Sequence, residues 1–211
     1  MKNLTLIIPA KHEGDSLPKV LEEIKDYDCK TIVVLERSDN ETINATKNFN
    51  LDIIYQSSNG YGDALIEGIN NVKTDYLCIF NADGSFDPKY LNDMLKIAEN
   101  NTDFVFGSRY MKGAGSEDDT FLTIVGNYFF SIFFKFFFSL KISDILFTYL
   151  LGKTQSFKNL NLQSNDFCLC VEMPIKAKRL KMSMKDIPSF ERNRIAGKKK
   201  VNEFRDGFKI L

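Results

Sequence analysis

With 211 residues, the chain is long enough for one domain with a full hydrophobic core and a smaller appendage. Its 28 Lys+Arg balance 28 Asp+Glu, which argues against a general nucleic-acid binder. The balance hides an asymmetry: residues 176–211 carry 12 Lys+Arg against 4 Asp+Glu, a local +8 beside an acidic body. Such a segment suits an anionic substrate or an anionic membrane surface, or is simply a solvated basic face. Cys29, Cys78, Cys168 and Cys170 have no zinc-like spacing and read as reduced thiols of a protein exposed to cytosol. A single histidine, His12, and no nucleophile elbow leave nothing from which to build a hydrolase triad. The apolar run 4–9 is too short for a signal peptide.

In chain order, residues 4–9 read as a strand, and 16–27 as a helix with Leu17, Val20, Leu21 and Ile24 on one side. Residues 31–35 are a β-branched strand, 42–48 a helix, 51–55 a third strand, and 61–72 a helix with Ala64, Leu65, Gly68 and Ile69 together. A fourth strand over 75–80, a helix over 88–100 and a fifth strand over 103–106 follow. This alternation predicts an α/β fold with a mostly parallel, doubly wound sheet flanked by helices. Right-handed crossovers then gather loops 9–15, 36–42, 57–62 and 81–87 at one sheet edge, where the ligand crevice of such folds lies.

Two of these loops carry candidate chemistry. The strand ending at Phe80 runs into Asn81-Ala-Asp83-Gly-Ser-Phe-Asp87-Pro88. Hard oxygen ligands there can hold Mg²⁺ or Mn²⁺ against a nucleotide diphosphate, although an Asx-type turn would have the same residues. The loop around Gly60 and Gly62 opens a helix whose first amides favour phosphate; a plain glycine turn is the alternative. It matches neither a Walker A loop nor the dinucleotide fingerprint.

Taken together, these segments resemble the inverting family 2 glycosyltransferases with a GT-A (Rossmann-like) fold, most of all the polyprenyl-phosphate (dolichyl-phosphate) sugar transferases. Leu6-Ile-Ile-Pro9-Ala10-Lys-His-Glu13 is similar to that family's opening nucleotide-binding turn, and Val33-Val-Leu-Glu36-Arg-Ser-Asp-Asn-Glu-Thr42 to its second acidic loop. Asn59-Gly60-Tyr-Gly62-Asp-Ala-Leu65 resembles its glycine loop, and Asn81-Ala-Asp83 its D-x-D region. Phe106-Gly-Ser-Arg109-Tyr110 looks like its next strand and loop; Glu172 and Arg194-Ile-Ala-Gly-Lys-Lys-Lys200 look like its C-terminal signature.

The resemblance implies donor contacts at Pro9, Ala10, Glu13, Glu36, Gly60, Gly62, Asn81, Asp83 and Arg109, with Asp83 and Asn81 holding Mg²⁺ or Mn²⁺. The implied donor is a nucleotide sugar of the UDP-glucose or GDP-mannose class. Arg194 and Lys200 would hold phosphate oxygens. The implied acceptor is a polyprenyl phosphate; for a glycan or glycolipid hydroxyl, Asp144 is the candidate base, or else a helix N-cap before residues 145–151. Leu35 and Glu36 stand where the family has two adjacent acids, Asn81 replaces an acid, and Tyr61 stands where a basic residue is common. These departures imply an altered donor preference, or a degenerate, non-catalytic nucleotide-sugar-binding relative.

Residues 121–140 are apolar nearly all round when drawn as a helix, with Asn127 and Lys135 the main interruptions. The expectation is an interfacial helix at the cytoplasmic face of a membrane, continued by a second short helix over 145–151. Burial in the core or in a homo-oligomer interface is the alternative. The expected organisation is a nucleotide-sugar-binding half over 1–115, interfacial helices over 116–152, and an acceptor-side, basic segment over 153–211.

Overall fold

A computed structural model describes residues 1–196, without the side chains of residues 121 and 122. The expected alternation is present: β1 (Leu4–Pro9), α1 (Leu17–Ile24), β2 (Lys30–Leu35), α2 (Asn40–Thr46), β3 (Asp52–Tyr55), α3 (Tyr61–Asn71), β4 (Tyr76–Ile79), α4 (Leu91–Glu99) and β5 (Phe104–Ser108). Then come β6 (Gly115–Ser116), α5 (Phe121–Phe138), β7 (Leu150–Lys153), α6 (Thr154–Asn159), α7 (Leu169–Arg179), β8 (Met184–Pro188) and β9 (Phe190–Glu191).

The main sheet has the order β3-β2-β1-β4-β7-β5-β8, and β6 pairs with β9 in a small second sheet. Its neighbours are parallel except for β7, which runs antiparallel between β4 and β5. Side chains on successive strand positions enter different cores. Leu4, Leu6 and Ile8 join Val20, Leu21, Met94 and Leu95 on one face, while Ile7, Leu77 and Ile79 join Leu65, Ile69, Phe157 and Met173 on the other. Burial on both faces explains why these strands read as continuous apolar runs.

Residues 145–151 do not form the expected short helix. They run irregularly into β7, where Leu150 enters one core and Leu151 the other. A short apolar run has no period that separates helix from buried strand. The partners decide it: Leu150 and Leu151 sit opposite Ile79 and Cys78 on β4, and opposite Phe106 and Val105 on β5. The segment 116–152 is therefore one helix followed by a central strand, not a helical layer.

The Phe-rich helix does form. Thr120 caps it, its hydroxyl oxygen accepting from Thr123 N at 3.3 Å. Thr123 and Phe134 are buried, and Phe130 and Phe138 half-buried, at spacings that keep them on one stripe. The opposite stripe shows Tyr128, Phe129, Phe136 and Phe137 to solvent, Phe136 being 79% exposed. Among the described residues, no helix is long and apolar enough to cross a membrane.

Candidate active site

The loops at the carboxyl ends of the parallel strands, together with α5 and the β9 region, enclose a cavity of about 740 Å³. Pro9, Ala10, Glu13, Glu36, Gly60, Asn81, Asp83, Arg109 and Arg194 all line it. Gly62 and Asp144 do not, and Lys200 lies outside the described residues.

The first two loops are tied together by Asp39, a buried residue without a role in the sequence reading. Its carboxylate accepts from His12 N at 2.7 Å, from Thr42 N at 3.2 Å and from Thr42 Oγ1 at 2.8 Å, which also caps α2. Burial pushes this carboxyl up, but the His12 and Thr42 donors outweigh it and hold it below its ordinary value. Thr42 Oγ1 in turn accepts from Glu13 N at 2.9 Å. The loop carrying Ala10 to Glu13 is thereby fixed before any ligand arrives. Glu36 faces Lys11 at 2.7 Å.

The glycine loop departs from expectation. The Gly62 and Asp63 amides, which would meet a phosphate, donate to the Asn165 carbonyl at 3.0 and 3.2 Å. A Cβ at Gly60 would sit 2.0 Å from Asn165 O, and one at Gly62 2.1 Å from Ser164 O. Glycine here admits the 164–166 backbone rather than a ligand. Glu172 secures that segment, accepting from Gln163 N and Ser164 N at 2.9 and 2.8 Å. Tyr61 stacks on Phe167 at 4.9 Å and reaches Thr148 Oγ1 at 2.9 Å.

After β4, Gly84 takes φ +82° and lets the chain fold back so that Asp83 Oδ1 accepts from Ser85 N at 3.0 Å. The Asn81 amide nitrogen donates to Ser85 Oγ at 3.2 Å, which leaves its carbonyl oxygen able to ligate a cation. Arg194 Nη1 stands 3.5 Å from Asp83 Oδ2 and its guanidinium also pairs with Asp118 at 3.0 Å. Asp83 thus already faces a positive charge. One carboxylate and one amide oxygen are hard donors that fit Mg²⁺ or Mn²⁺, with the remaining positions open to diphosphate oxygens and water. Among the described residues, no cluster of three His, Cys, Asp or Glu could complete a cation site without such help.

Arg109 is the centre of a buried charge network. Its Nε and Nη2 hold Asp144 at 2.8 and 3.0 Å, and its Nη1 reaches Glu191 at 3.1 Å and Asp119 at 3.4 Å. Its guanidinium lies 4.7 Å from the centre of the Phe147 ring. Asp144 has no side-chain exposure, and Arg109 occupies both of its oxygens. As a candidate base it is misplaced, since it stands behind Arg109 rather than in the crevice. Nor is it an N-cap, because residues 145–149 form no helix.

A family model described as Glycosyl transferase family 2 matches residues 5–160. The chain belongs to glycosyl transferase family 2. Glycosyltransferase AglJ of Haloferax volcanii is 24% identical over 179 residues, covering 82% of this chain and 58% of that protein. The uncharacterized glycosyltransferase Rv0539 of Mycobacterium tuberculosis is 27% identical over 106 residues, 50% of this chain and 48% of that one. This family 2 chain therefore spans about half to three fifths of the length of these curated relatives.

Among solved structures, glucosyl-3-phosphoglycerate synthase from Mycobacterium tuberculosis, in complex with Mn²⁺, UDP and glucosyl-3-phosphoglycerate, superposes with a TM-score of 0.75. Identity is 11%, over 99% of this chain and 77% of that one. Mannosyl-3-phosphoglycerate synthase from Rubrobacter xylanophilus gives 0.70 at 16% identity, over 98% and 69%. Likeness at such identity is one of fold, and the fold is the expected GT-A arrangement. The cofactor class expected for this family 2 chain, Mg²⁺ or Mn²⁺, includes the ion bound in the first of these enzymes.

The sequence reading gave no site role to Asp39, Asp118, Asp119 or Glu191. Nothing local distinguishes them. Their positions depend on contacts with residues far away in the chain.

Proposed function

We propose that this chain transfers a sugar from a nucleotide-sugar donor, of the UDP-glucose or GDP-mannose class, to a lipid-borne acceptor at the cytoplasmic face of a membrane. The observation that carries the lipid end is the double use of α5. Thr123, Gly126, Asn127 and Phe130 line the cavity, while Tyr128, Phe129, Phe136 and Phe137 of the same helix are exposed. An acceptor held by its tail in an interface would present its head to the cavity across this helix.

Asp83 and Asn81 would hold the divalent cation, which when bound offsets charge on the departing diphosphate. Lys11 and Arg194 add positive charge at the donor side of the cavity. Polyprenyl phosphate is the acceptor to which the family resemblance points, with Lys200 as a phosphate contact. A second reading, a hydroxyl on a glycolipid, is favoured by the cavity's own charge. Six carboxylate side chains line it against Lys11, Arg109 and Arg194, an unwelcoming wall for an acceptor phosphate.

Two measurements test this function. Thermal shifts with UDP-glucose and GDP-mannose, with and without Mn²⁺, should show one donor stabilising the protein, more strongly with metal. Substituting Phe129, Phe136 and Phe137 together by Ser should release the protein from lipid vesicles and leave that donor shift intact. No shift with any nucleotide sugar from folded protein would sink the transferase reading.

A further inference from the structure

The six carboxylates along the cavity differ in what their oxygens already do. Asp118 gives both oxygens to Arg194, at 3.3 and 3.0 Å. Asp119 accepts from Arg109 at 3.4 Å with one oxygen and from Tyr110 Oη at 3.1 Å with the other. Asp83 accepts from Ser85 N and faces Arg194; Glu36 faces Lys11, and Glu13 Oε2 accepts from Ser16. Glu36 and Glu191 each use a single oxygen, but Glu191 is buried while Glu36 is partly exposed. Glu191 Oε2 accepts from Arg109 Nη1 at 3.1 Å and from Ser116 Oγ at 2.7 Å, and the residue lines the cavity.

Chain geometry sets Glu191 beside the donor loop. It bridges Phe86 in antiparallel fashion, Arg192 N donates to Ser85 O at 2.9 Å, and Ile195 N donates to Asp83 O at 2.8 Å. The segment from Glu191 onward therefore runs along residues 83–86, with Glu191 at the end held by Arg109. A donor diphosphate at Asp83 and an acceptor entering past α5 would meet between the two carboxylates.

We infer that Glu191 takes the proton of a hydroxyl acceptor, and that Arg109, clamped by Asp144, positions it. The inference rests on the transferase reading and commits it to a hydroxyl. In the step, the acceptor O–H proton moves to Glu191 and the acceptor oxygen forms a bond to the anomeric carbon. The bond from that carbon to the diphosphate oxygen breaks, and its electron pair leaves with the nucleoside diphosphate. Burial pushes the Glu191 carboxyl up against the pull of Arg109 and Ser116, the direction that strengthens a base. Asp144 acts one layer behind, holding the guanidinium that fixes Glu191.

The test compares wild type, Glu191→Gln and Glu191→Asp with UDP-glucose and GDP-mannose in the presence of Mn²⁺. The acceptors, in detergent micelles, are glucosyl-diacylglycerol and undecaprenyl phosphate. Wild type is expected to glycosylate the hydroxyl lipid. Glu191→Gln should lower kcat about 10²–10⁴-fold, the usual contribution of a general base, with donor KM and donor thermal shift within about twofold. It should also lose the acidic limb of the kcat–pH profile, which Glu191→Asp should retain at a shifted pH. A merely structural role would change melting or donor KM and leave that limb in place. Transfer by wild type with Glu191→Gln within about threefold of it, or transfer to undecaprenyl phosphate alone, would overturn the inference while leaving the transferase reading standing. A wild type that neither binds donor nor turns over would remove both.

Discussion

Arg109 and Asp144 show how one side chain's role changes once its neighbour is known. In the sequence, Asp144 is a free carboxylate after an apolar segment, and a base is a fair expectation. In the fold it is the buried counter-ion of a buried guanidinium, and both partners are at most 9% exposed. Removing one charge of such a pair strands the other, at a cost of about 3–5 kcal/mol. Asp144→Asn should therefore lower unfolding stability by roughly that amount in urea titrations. If Asp144 were itself the base, the same variant would lose turnover with its unfolding midpoint unchanged.

At the scale of elements, glycines separate packing from plain helix propensity. Ala at Gly62 would drive a methyl into the Ser164 carbonyl, so the 164–166 segment must retreat from α3. Overpacking of this kind costs typically about 1–3 kcal/mol, and Gly62→Ala should melt lower and be cut sooner by protease near residue 165. Gly126, inside α5, has nothing within 4 Å of where its Cβ would stand. Gly126→Ala should leave stability unchanged or raise it by about 0.5–1 kcal/mol, read by the same melt. The opposite signs would follow if the glycine loop were open and α5 tightly covered.

For the molecule as a whole, acid sensitivity follows from three tethering carboxylates. Asp39 joins the first two loops. Asp103 accepts from Ser183 N and Ser156 Oγ at 2.8 and 3.0 Å, linking β5 to the turn before β8 and to α6; Glu172 fixes residues 163–164. In each, burial pushes the carboxyl up but is outweighed: by Ser183, Ser156 and Lys153 for Asp103, and by Lys176, Ser164 and Gln163 for Glu172. All three are held below their ordinary values. Their stabilisation is present above the unfolded values of about 3.9 for Asp and 4.3 for Glu, and is lost as pH falls through the folded ones. Glu191, raised in the fold, has the opposite sign: its contribution is present below about 4.3 and fades as pH rises through the folded value. Denaturant midpoints should fall below about pH 4, and Asp39→Ala should flatten that fall. A midpoint unchanged from pH 6 to pH 3 would contradict the tethering.

The alternating pattern of buried strands and one-sided helices determined the layered α/β fold, and the polar ends of those strands determined which residues reach the crevice. Pro9, Glu13, Glu36, Asn81 and Asp83 were legible because local periodicity and strand direction carry them there. The antiparallel β7 was not, since an apolar run of a few residues has no period of its own and only pairing with β4 and β5 makes it a strand. The glycine loop was misread because its partner carbonyl lies about a hundred residues away. Glu191 became visible only when β9 was laid along the Asp83 loop, because a charge network is a property of distances in space. Sequence sets which groups the chain can deliver; tertiary contact decides which of them remain free to react.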